Sequence, residues 1–439
     1  MRKSSEADLR GHASRIVFTL REAGFQAYLV GGCVRDELMG NAPKDYDVAT
    51  SALPQQVLAL FPDSGTVGAH FGVVLVRAGR AQVEVATFRS DAGYSDGRHP
   101  DAVSFELTPR KDALRRDFTI NAVFLDPFTG EVLDFVGGRN DMRDAVIRAI
   151  GDPRARFEED RLRMLRAVRF AARFGFDIEP GTLHAIREMR ALIHTVAAER
   201  IRDELFRILT EGQARRGFQL LDECGLLAEI LPEVKAFQGV EQPPEFHPEG
   251  DVWTHVMLML EQMGKAGTHL ALGVLLHDAG KPATFRVADR IRFDGHVEKG
   301  VEIARGILSR FRCSGDQMDS VTALVANHMR FMDVPKMKPS TLKRFLRLPD
   351  FEDHLELHRL DCLSSNRDLR TYHHVREILG QMPAEVLRPE PLLTGRDLIE
   401  AGFPPGPQFK KVLRAVEDAQ LDGSIRTKEE ALQLVRSLN

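Results

Sequence analysis

The chain has 439 residues, more than a single hydrophobic core usually supports, so two or more domains are expected. Hydrophobic residues make up 43% of it and the net charge is −4, which does not advertise a nucleic-acid binder as a whole. No apolar run approaches the roughly 20 residues that a membrane span needs, so no membrane partner is expected.

The N-terminal stretch MRKSSEADLRGHASR is charged but has no apolar h-region, so it does not read as a secretory signal. From about residue 25 to 137, short β-branched runs bounded by turn residues alternate with helical patches. QAYLVGG, DYDVAT, GVVLVRAG, AQVEVATF, INAVFLD and EVLDFVGG read as strands, while VRDELMG and LPQQVLALF read as helices. Strands outnumber helices, which predicts an α+β head, a mixed sheet covered by helices on one side. After Gly151 the apolar period becomes helical through RFEEDRLRMLRAVRFAARFG, TLHAIREMRALIHTV, AERIRDELFRILT and RRGFQLLDECGLLAEIL, with Gly175 and Gly225 as C-caps. QGVEQPPEFHPEGD breaks this rhythm and reads as a linker; MPAEVLRPEPLLTG is a second break. TFRVADRIRF allows a short hairpin, and the last segment reads as two or three helices around a Pro-Gly-Pro turn, where GPQFKK sets two lysines beside a helix start suited to a phosphate backbone. Four parts follow: a head over 1–150, a helical neck and body over 151–237, a second helical domain over 238–385, and a helical tail over 386–439. The four cysteines, Cys33, Cys224, Cys313 and Cys362, are far apart and form no C-x-x-C pair. They are expected to be free thiols, in keeping with a reducing, cytoplasmic setting.

The first chemistry lies in GGCVRDELMGNAPKDYDVAT, from Gly31 to Thr50. Residues two apart on a strand share a face, so Asp45 and Asp47 present two carboxylates side by side. Like charges so close favour a divalent cation, and oxygen-only ligands favour Mg2+, which completes its coordination with substrate phosphates. That points to phosphoryl or nucleotidyl transfer. Gly31 and Gly32, between a strand and a helix, let backbone N–H groups face an anion, and Arg35 adds charge to the same phosphates. Glu84, in AQVEVATF, is a third carboxylate suited to activating an attacking hydroxyl.

G-G-x-x-R followed by D-x-D resembles the class II tRNA nucleotidyltransferase and bacterial poly(A) polymerase family. ALRRDFTINAVFLD is similar to that family's second motif, which implies that Arg116 contacts nucleotide phosphates while Asp117 and Asn121 organise the site. EDRLRMLRAVRF is similar to its base-recognition motif, with Glu159, Asp160 and Arg163 in the matching positions, and AERIRDELFRIL to the helix that braces it. The residues argue the same way. Asp160, Arg163, Arg166 and Arg169 recur in steps of three and are expected along one helix face. An Asp accepts from an exocyclic amine while an Arg donates to the ring acceptor beside it, an edge that cytosine and adenine present and guanine and uracil do not. The resemblance implies CTP and ATP as substrates and RNA held across the arginine-rich helices.

The second chemistry is a series of separated stations: His255 in DVWTHVMLML, His277 and Asp278 in LLHDAGK, and Asp361 in LHRLDCLSS, with His296 and His328 between them. Imidazole and carboxylate suit borderline or hard divalent ions. This half resembles the HD phosphohydrolase domain, which implies that His255, His277, Asp278 and Asp361 hold a divalent transition metal, with His296 and His328 available for a second ion or for orienting a phosphate. The implied activity is hydrolysis of phosphomonoesters or cyclic phosphodiesters, useful for trimming a damaged RNA 3′ end.

Three activities compete: addition of CCA to tRNA, polyadenylation of generic RNA by the same head, and a protein that is mainly an HD phosphohydrolase. The polar segment FRSDAGYSDGRHPDAVSFELTPRKDALRRDF has the character of a mobile loop. By resemblance it favours addition of the whole CCA over CC alone, and VGAHFGVVLV likewise favours CCA addition over poly(A) synthesis.

Overall fold

Short runs of β-branched residues between turn formers build the head around one mixed sheet. The computed structural model describes residues 2–66, 72–78, 81–92 and 102–438. It divides into two units, Met1–Pro232 and Glu233–Asn439, each with its own core.

In the first unit the strands are β1 (Ala27–Val30), β2 (Asp47–Thr50), β3 (Gly65–Thr66), β4 (Val73–Ala78), β5 (Ala81–Thr87), β6 (Arg89–Ala92), β7 (Ala102–Phe105), β8 (Val123–Leu125) and β9 (Val132–Asp134). Seven of them form one sheet in the order β3-β4-β5-β2-β1-β8-β9. The β2–β5 pair is parallel and the other ladders of this sheet are antiparallel. Period-2 alternation sends Leu29, Val48, Val74, Val76, Val83, Val85, Val123 and Leu125 to one face, packed on Ile16, Val17 and Leu20 of α1 (Arg2–Glu22) and Val57 of α3 (Pro54–Leu60). Between them α2 (Gly32–Leu38) follows β1. The opposite face is not bare, as one-sided covering would have it: Val30, Ala49, Phe88 and Phe124 form a smaller cluster closed by Ala113 and Ile150.

Parts of two expected features, residues 67–71 of VGAHFGVVLV and 93–101 of the polar segment after Phe88, lie outside the described residues. The flanks of that segment are regular, because β6 and β7 pair in antiparallel and α4 (Pro109–Leu114) follows.

Beyond β9 come α5 (Gly138–Arg143), α6 (Pro153–Glu159), α7 (Arg163–Phe174), α8 (Pro180–Met189), α9 (Ala198–Thr210), α10 (Ala214–Glu223) and α11 (Leu226–Ile230). The single helix expected across RFEEDRLRMLRAVRFAARFG is two. Asp160 takes an extended backbone at the end of α6 and accepts a hydrogen bond from Leu162 N at 3.1 Å, an Asx turn that restarts the chain as α7. Gly175 ends α7 in the left-handed conformation, as its position predicts.

The second unit is helical apart from the short hairpin Arg286–Val287 with Ile291–Arg292. One core gathers Phe331, Phe345, Phe351 and Leu355, and a separate one in the tail gathers Leu398, Val416 and Val435 from three helices with Leu393 just before the first of them. None of the four cysteines forms a disulfide. No helix among the described residues is long and apolar enough to cross a membrane.

Candidate active sites

The carboxylates of the head sit on the sheet face opposite the main core. β2 starts at Asp47, so Asp45 lies in the bend before it and not on the strand as its spacing suggested. Alternation still holds across the junction. Tyr46 turns into the core, where its hydroxyl donates to Glu37 Oε1 at 2.7 Å, leaving Asp45 and Asp47 on the other side. Glu84 is the register partner of Asp47 on the parallel strand β5, so the two point the same way. Burial, then the charges of Glu84 and Asp45, push the Asp47 carboxyl up to about 7, with Arg116 opposing them. A divalent cation between nucleotide phosphates and these carboxylates relieves that repulsion, so the residues present fit Mg2+.

Gly31 follows β1 with φ +81°, a conformation that L side chains rarely adopt. A Cβ there would sit 3.4 Å from Arg116 Nη1 and 3.8 Å from Asp47 Oδ2, so the bare backbone of Gly31 faces both. Gly32 opens α2, and its Cβ would lie 3.5 Å from Arg35 Nη2. Arg116 is aimed by a residue that the sequence reading passed over. Asp112, buried in α4, accepts from Nε and Nη2 of Arg116 at 3.1 and 2.9 Å and from the same atoms of Arg115 at 2.9 and 2.7 Å. This leaves Arg116 Nη1 turned toward Asn121 O and the glycine turn. The signal was legible as an Asp three and four residues before two arginines, the spacing of one helical turn.

Arg35 is buried and already engaged. It donates to Asp36 Oδ1 through Nε and Nη2, at 2.8 and 2.6 Å, and to Asn121 Oδ1 through Nη1 at 2.5 Å. Its guanidinium lies over the rings of Phe170 and Phe174 of α7. Asp117 accepts from Asn121 Nδ2 at 3.0 Å and from Nε and Nη2 of Arg166 at 2.9 and 2.6 Å. Burial alone would raise its pKa, but the Arg166 guanidinium and Asn121 hold it well below the usual carboxylate range.

The expected single charged face does not form as drawn. Asp160 stands before α7, where both of its oxygens accept from Arg200 of α9 at 3.1 and 2.8 Å. Arg163 opens the helix and donates to Glu159 Oε2 at 2.6 Å. Arg166 turns to Asp117, and Arg169 to Glu204 of α9 at 2.6 Å. The arginines of the run are thus divided among Glu159, Asp117 and Glu204, Arg166 also lying 3.8 Å from Glu204, and Asp160 and Arg163 stand together at the start of α7.

In the second unit the separated stations converge. The ligand atoms of His255, His277 and Asp361 lie within 4.8 Å of one another, as do those of Asp278, His296 and His328. His277, His296 and His328 have Nδ1 on the backbone oxygens of Val274, Phe293 and Val325, at 3.0, 2.9 and 2.7 Å. His255 has Nδ1 on Glu249 Oε1 at 2.7 Å, and Glu249 also takes His247 at 2.8 Å. Each of these four Nδ1 atoms is thereby fixed as the donor, which presents the Nε2 lone pair. All four Nε2 atoms are buried and none makes a well-directed hydrogen bond, though those of His255 and His277 lie 3.3 and 3.1 Å from carboxylate oxygens of Asp361 and Asp278, a convergence that is costly unless something binds there. An imidazole-rich set of this kind fits one or two divalent transition-metal ions. Gly280 is required by close approach: a Cβ would fall 2.0 Å from His296 O. Lys281 reaches Asp278 Oδ2 at 2.7 Å and donates to Gln242 at 2.6 Å. Both Gln242 and Glu249 come from the stretch read as a linker, which is built into this centre. In the tail, Lys410 and Lys411 are exposed on the helix Gln408–Leu421.

Family models match in the order of these sites. Residues 27–148 match the poly A polymerase head domain, 175–238 the probable RNA and SrmB binding site of polymerase A, and 251–355 the HD domain. A CCA-adding enzyme of Leuconostoc mesenteroides is 31% identical over 423 residues, 96% of this chain and 94% of that protein. One from Lactobacillus helveticus is 37% identical over 257 residues, 57% of this chain and 63% of that protein. The crystal structure of the Bacillus stearothermophilus CCA-adding enzyme in complex with CTP superposes with a TM-score of 0.75 at 28% identity, covering 97% of each chain. With a relative matched over nearly its whole length and the head, RNA-binding and HD models in sequence along it, the chain belongs to the family of CCA-adding enzymes, tRNA nucleotidyltransferases.

Proposed function

We propose that this enzyme adds CCA to the 3′ end of tRNA from CTP and ATP without a nucleic-acid template. The observation that carries the reading is the joint placement of Gly31 beside Arg116 Nη1 and Asp47, with Glu84 in register with Asp47 on the same sheet face and Asp160 and Arg163 together at the start of α7. Mg2+ held by Asp45 and Asp47 would neutralise the triphosphate and stabilise charge on the attacking and leaving oxygens. The Gly31–Gly32 backbone and Arg116 bind the phosphates, Arg35 supports that turn from below, and Glu84 takes the proton from the RNA 3′-hydroxyl. Asp117 and Asn121 organise Arg166 and Arg35, and Arg169 anchors α7 on Glu204. Asp160 accepts from the amine of cytosine or adenine while Arg163 donates to the adjacent ring nitrogen. Arg200 and Glu159 hold these two groups in place, so the selection is made by a preset edge.

The parts are then a catalytic head over 1–150, a neck and body over 151–237, an HD domain over 238–385 and a tail over 386–439. For the HD domain we propose metal-dependent hydrolysis of phosphomonoesters or 2′,3′-cyclic phosphates at RNA ends, a reading supported by the four buried Nε2 atoms that converge with the carboxylates of Asp278 and Asp361. His255, His277 and Asp361 would hold one ion, and Asp278, His296 and His328 a second.

The test offers the purified protein a tRNA ending before CCA, with CTP and ATP separately and together. CTP alone should add two residues, and both nucleotides should add three and stop. Long adenosine tails on unrelated RNA would favour the poly(A) reading, and arrest at CC with both nucleotides present would refute addition of the terminal A.

A further inference from the structure

Helix α7 carries the base-reading Arg163 at its first residue, where Nη2 donates to Arg115 O of the head at 3.4 Å, and it is fastened to the head at two further points. Arg166 binds Asp117, and near the other end Arg173 Nη2 reaches Asp36 Oδ2 at 3.5 Å. Asp36 is itself buried, and its other oxygen takes two hydrogen bonds from Arg35. Phe170 and Phe174 of α7 stack nearly parallel, 8° apart, and both lie against Arg35, while Arg173 covers Phe174. One carboxylate thus ties the arginine beneath the glycine turn to the far end of the base-reading helix.

We propose that Asp36 is a specificity-positioning residue for nucleotide addition, acting through Arg35 and Arg173. The inference rests on the reading of Asp160 and Arg163 as the base-selecting pair. Lever geometry gives the size of the effect. With a rise of 1.5 Å per residue, Arg173 is about 10 Å from the Arg166 anchor and Arg163 about 4.5 Å on its other side. Taken as a rod pivoting at Arg166, with the Arg169–Glu204 pair yielding, α7 carries a slip of about 1 Å at Arg173 to Arg163 as roughly 0.4 Å, near the tolerance for a preset hydrogen-bonding site. Loss of selection by about 5–10-fold is expected, well short of the roughly hundredfold penalty of a full 1 Å misplacement.

The experiment uses the full-length protein, a tRNA ending before CCA, and kcat/KM for CTP against UTP. Arg173→Met cuts the tie to α7 and leaves Arg35 on Asp36. It should lower the CTP/UTP ratio about 5–10-fold while kcat with CTP stays within about threefold. Asp36→Asn should lower the ratio similarly and also raise KM for CTP, because Arg35 is loosened. The double variant should show no further loss of the ratio, as expected for two ends of one link. If Asp36→Asn fails to fold, by circular dichroism, the half-exposed Arg173 still decides the matter. An unchanged ratio in Arg173→Met, or fully additive losses in the double variant, would overturn the proposal. A wild-type enzyme that takes UTP as readily as CTP would instead refute the underlying reading of Asp160 and Arg163.

Discussion

A carboxylate that is partly buried beside two others keeps its charge only when a cation is supplied, and Asp47 is in that position between Asp45 and Glu84. Burial and those two neighbours push its pKa up to about 7, so in metal-free protein a large share of Asp47 is protonated below neutrality. The raised value favours the neutral form, and binding of a divalent cation must displace the proton. The apparent affinity for Mg2+ in the head should therefore rise with pH by up to about tenfold per unit below pH 7 and level off above it. Calorimetric titration between pH 6 and 8, in buffers of different ionisation enthalpy, would show about one proton released per ion at the acid end. Because the HD domain also offers ligands, the measurement belongs in a His277→Ala/Asp278→Ala background. In that background Asp47→Asn should abolish the slope. A flat profile in the parent would mean that Asp47 is already ionised.

Asp117 shows the same logic with the opposite sign, at the junction between two elements. Its carboxylate joins the turn after α4 to the middle of α7 through Arg166, and its pKa is held well below the usual range. A depressed carboxyl pKa stabilises the fold above the unfolded value near 4, and that contribution disappears as pH falls through the folded value. Asp117→Asn leaves the partly buried Arg166 with Glu204 at 3.8 Å as its remaining acid and should cost about 1–2 kcal/mol at pH 7. The gap between variant and parent in denaturant unfolding should narrow as pH falls from about 4 toward 2. A gap independent of pH would assign the cost to shape and not to charge. Much of this was legible from spacing: the glycines at the end of β1, the alternation that hides Tyr46, the RRD run and the four His and Asp stations all read locally. What was not legible depends on contacts between elements. The arginines of α7 read as one charged helix face because nothing in the local sequence says that Asp117, Glu204 and Asp36 come from elsewhere to meet them. The break before α7 was hidden because one Asx turn does not disturb the apolar period. Glu249 looked like linker chemistry because its partner His255 lies on the next helix.

At the scale of the whole molecule, the two chemistries are housed in different units. The sheet carboxylates and α7 belong to Met1–Pro232, and every histidine of the HD centre belongs to Glu233–Asn439. Each unit closes its own hydrophobic clusters, so a lesion in one centre is expected to act within its own unit. Distant sites without common partners perturb each other by no more than about 0.5 kcal/mol, roughly a twofold change in a rate. His277→Ala with Asp278→Ala should therefore remove bound transition metal, measured by elemental analysis, and abolish hydrolysis of a 2′,3′-cyclic phosphate, while CCA addition stays within about twofold. Asp45→Ala with Asp47→Ala should do the reverse, ending nucleotide incorporation with metal content and hydrolysis in the second unit intact. If incorporation survived the head substitutions, the chain would act chiefly as a phosphohydrolase and the head would only bind nucleotide or RNA. If it fell with the HD substitutions in a protein whose unfolding profile is unchanged, the two centres would be coupled, and the HD metal would have to be counted as part of the polymerising enzyme.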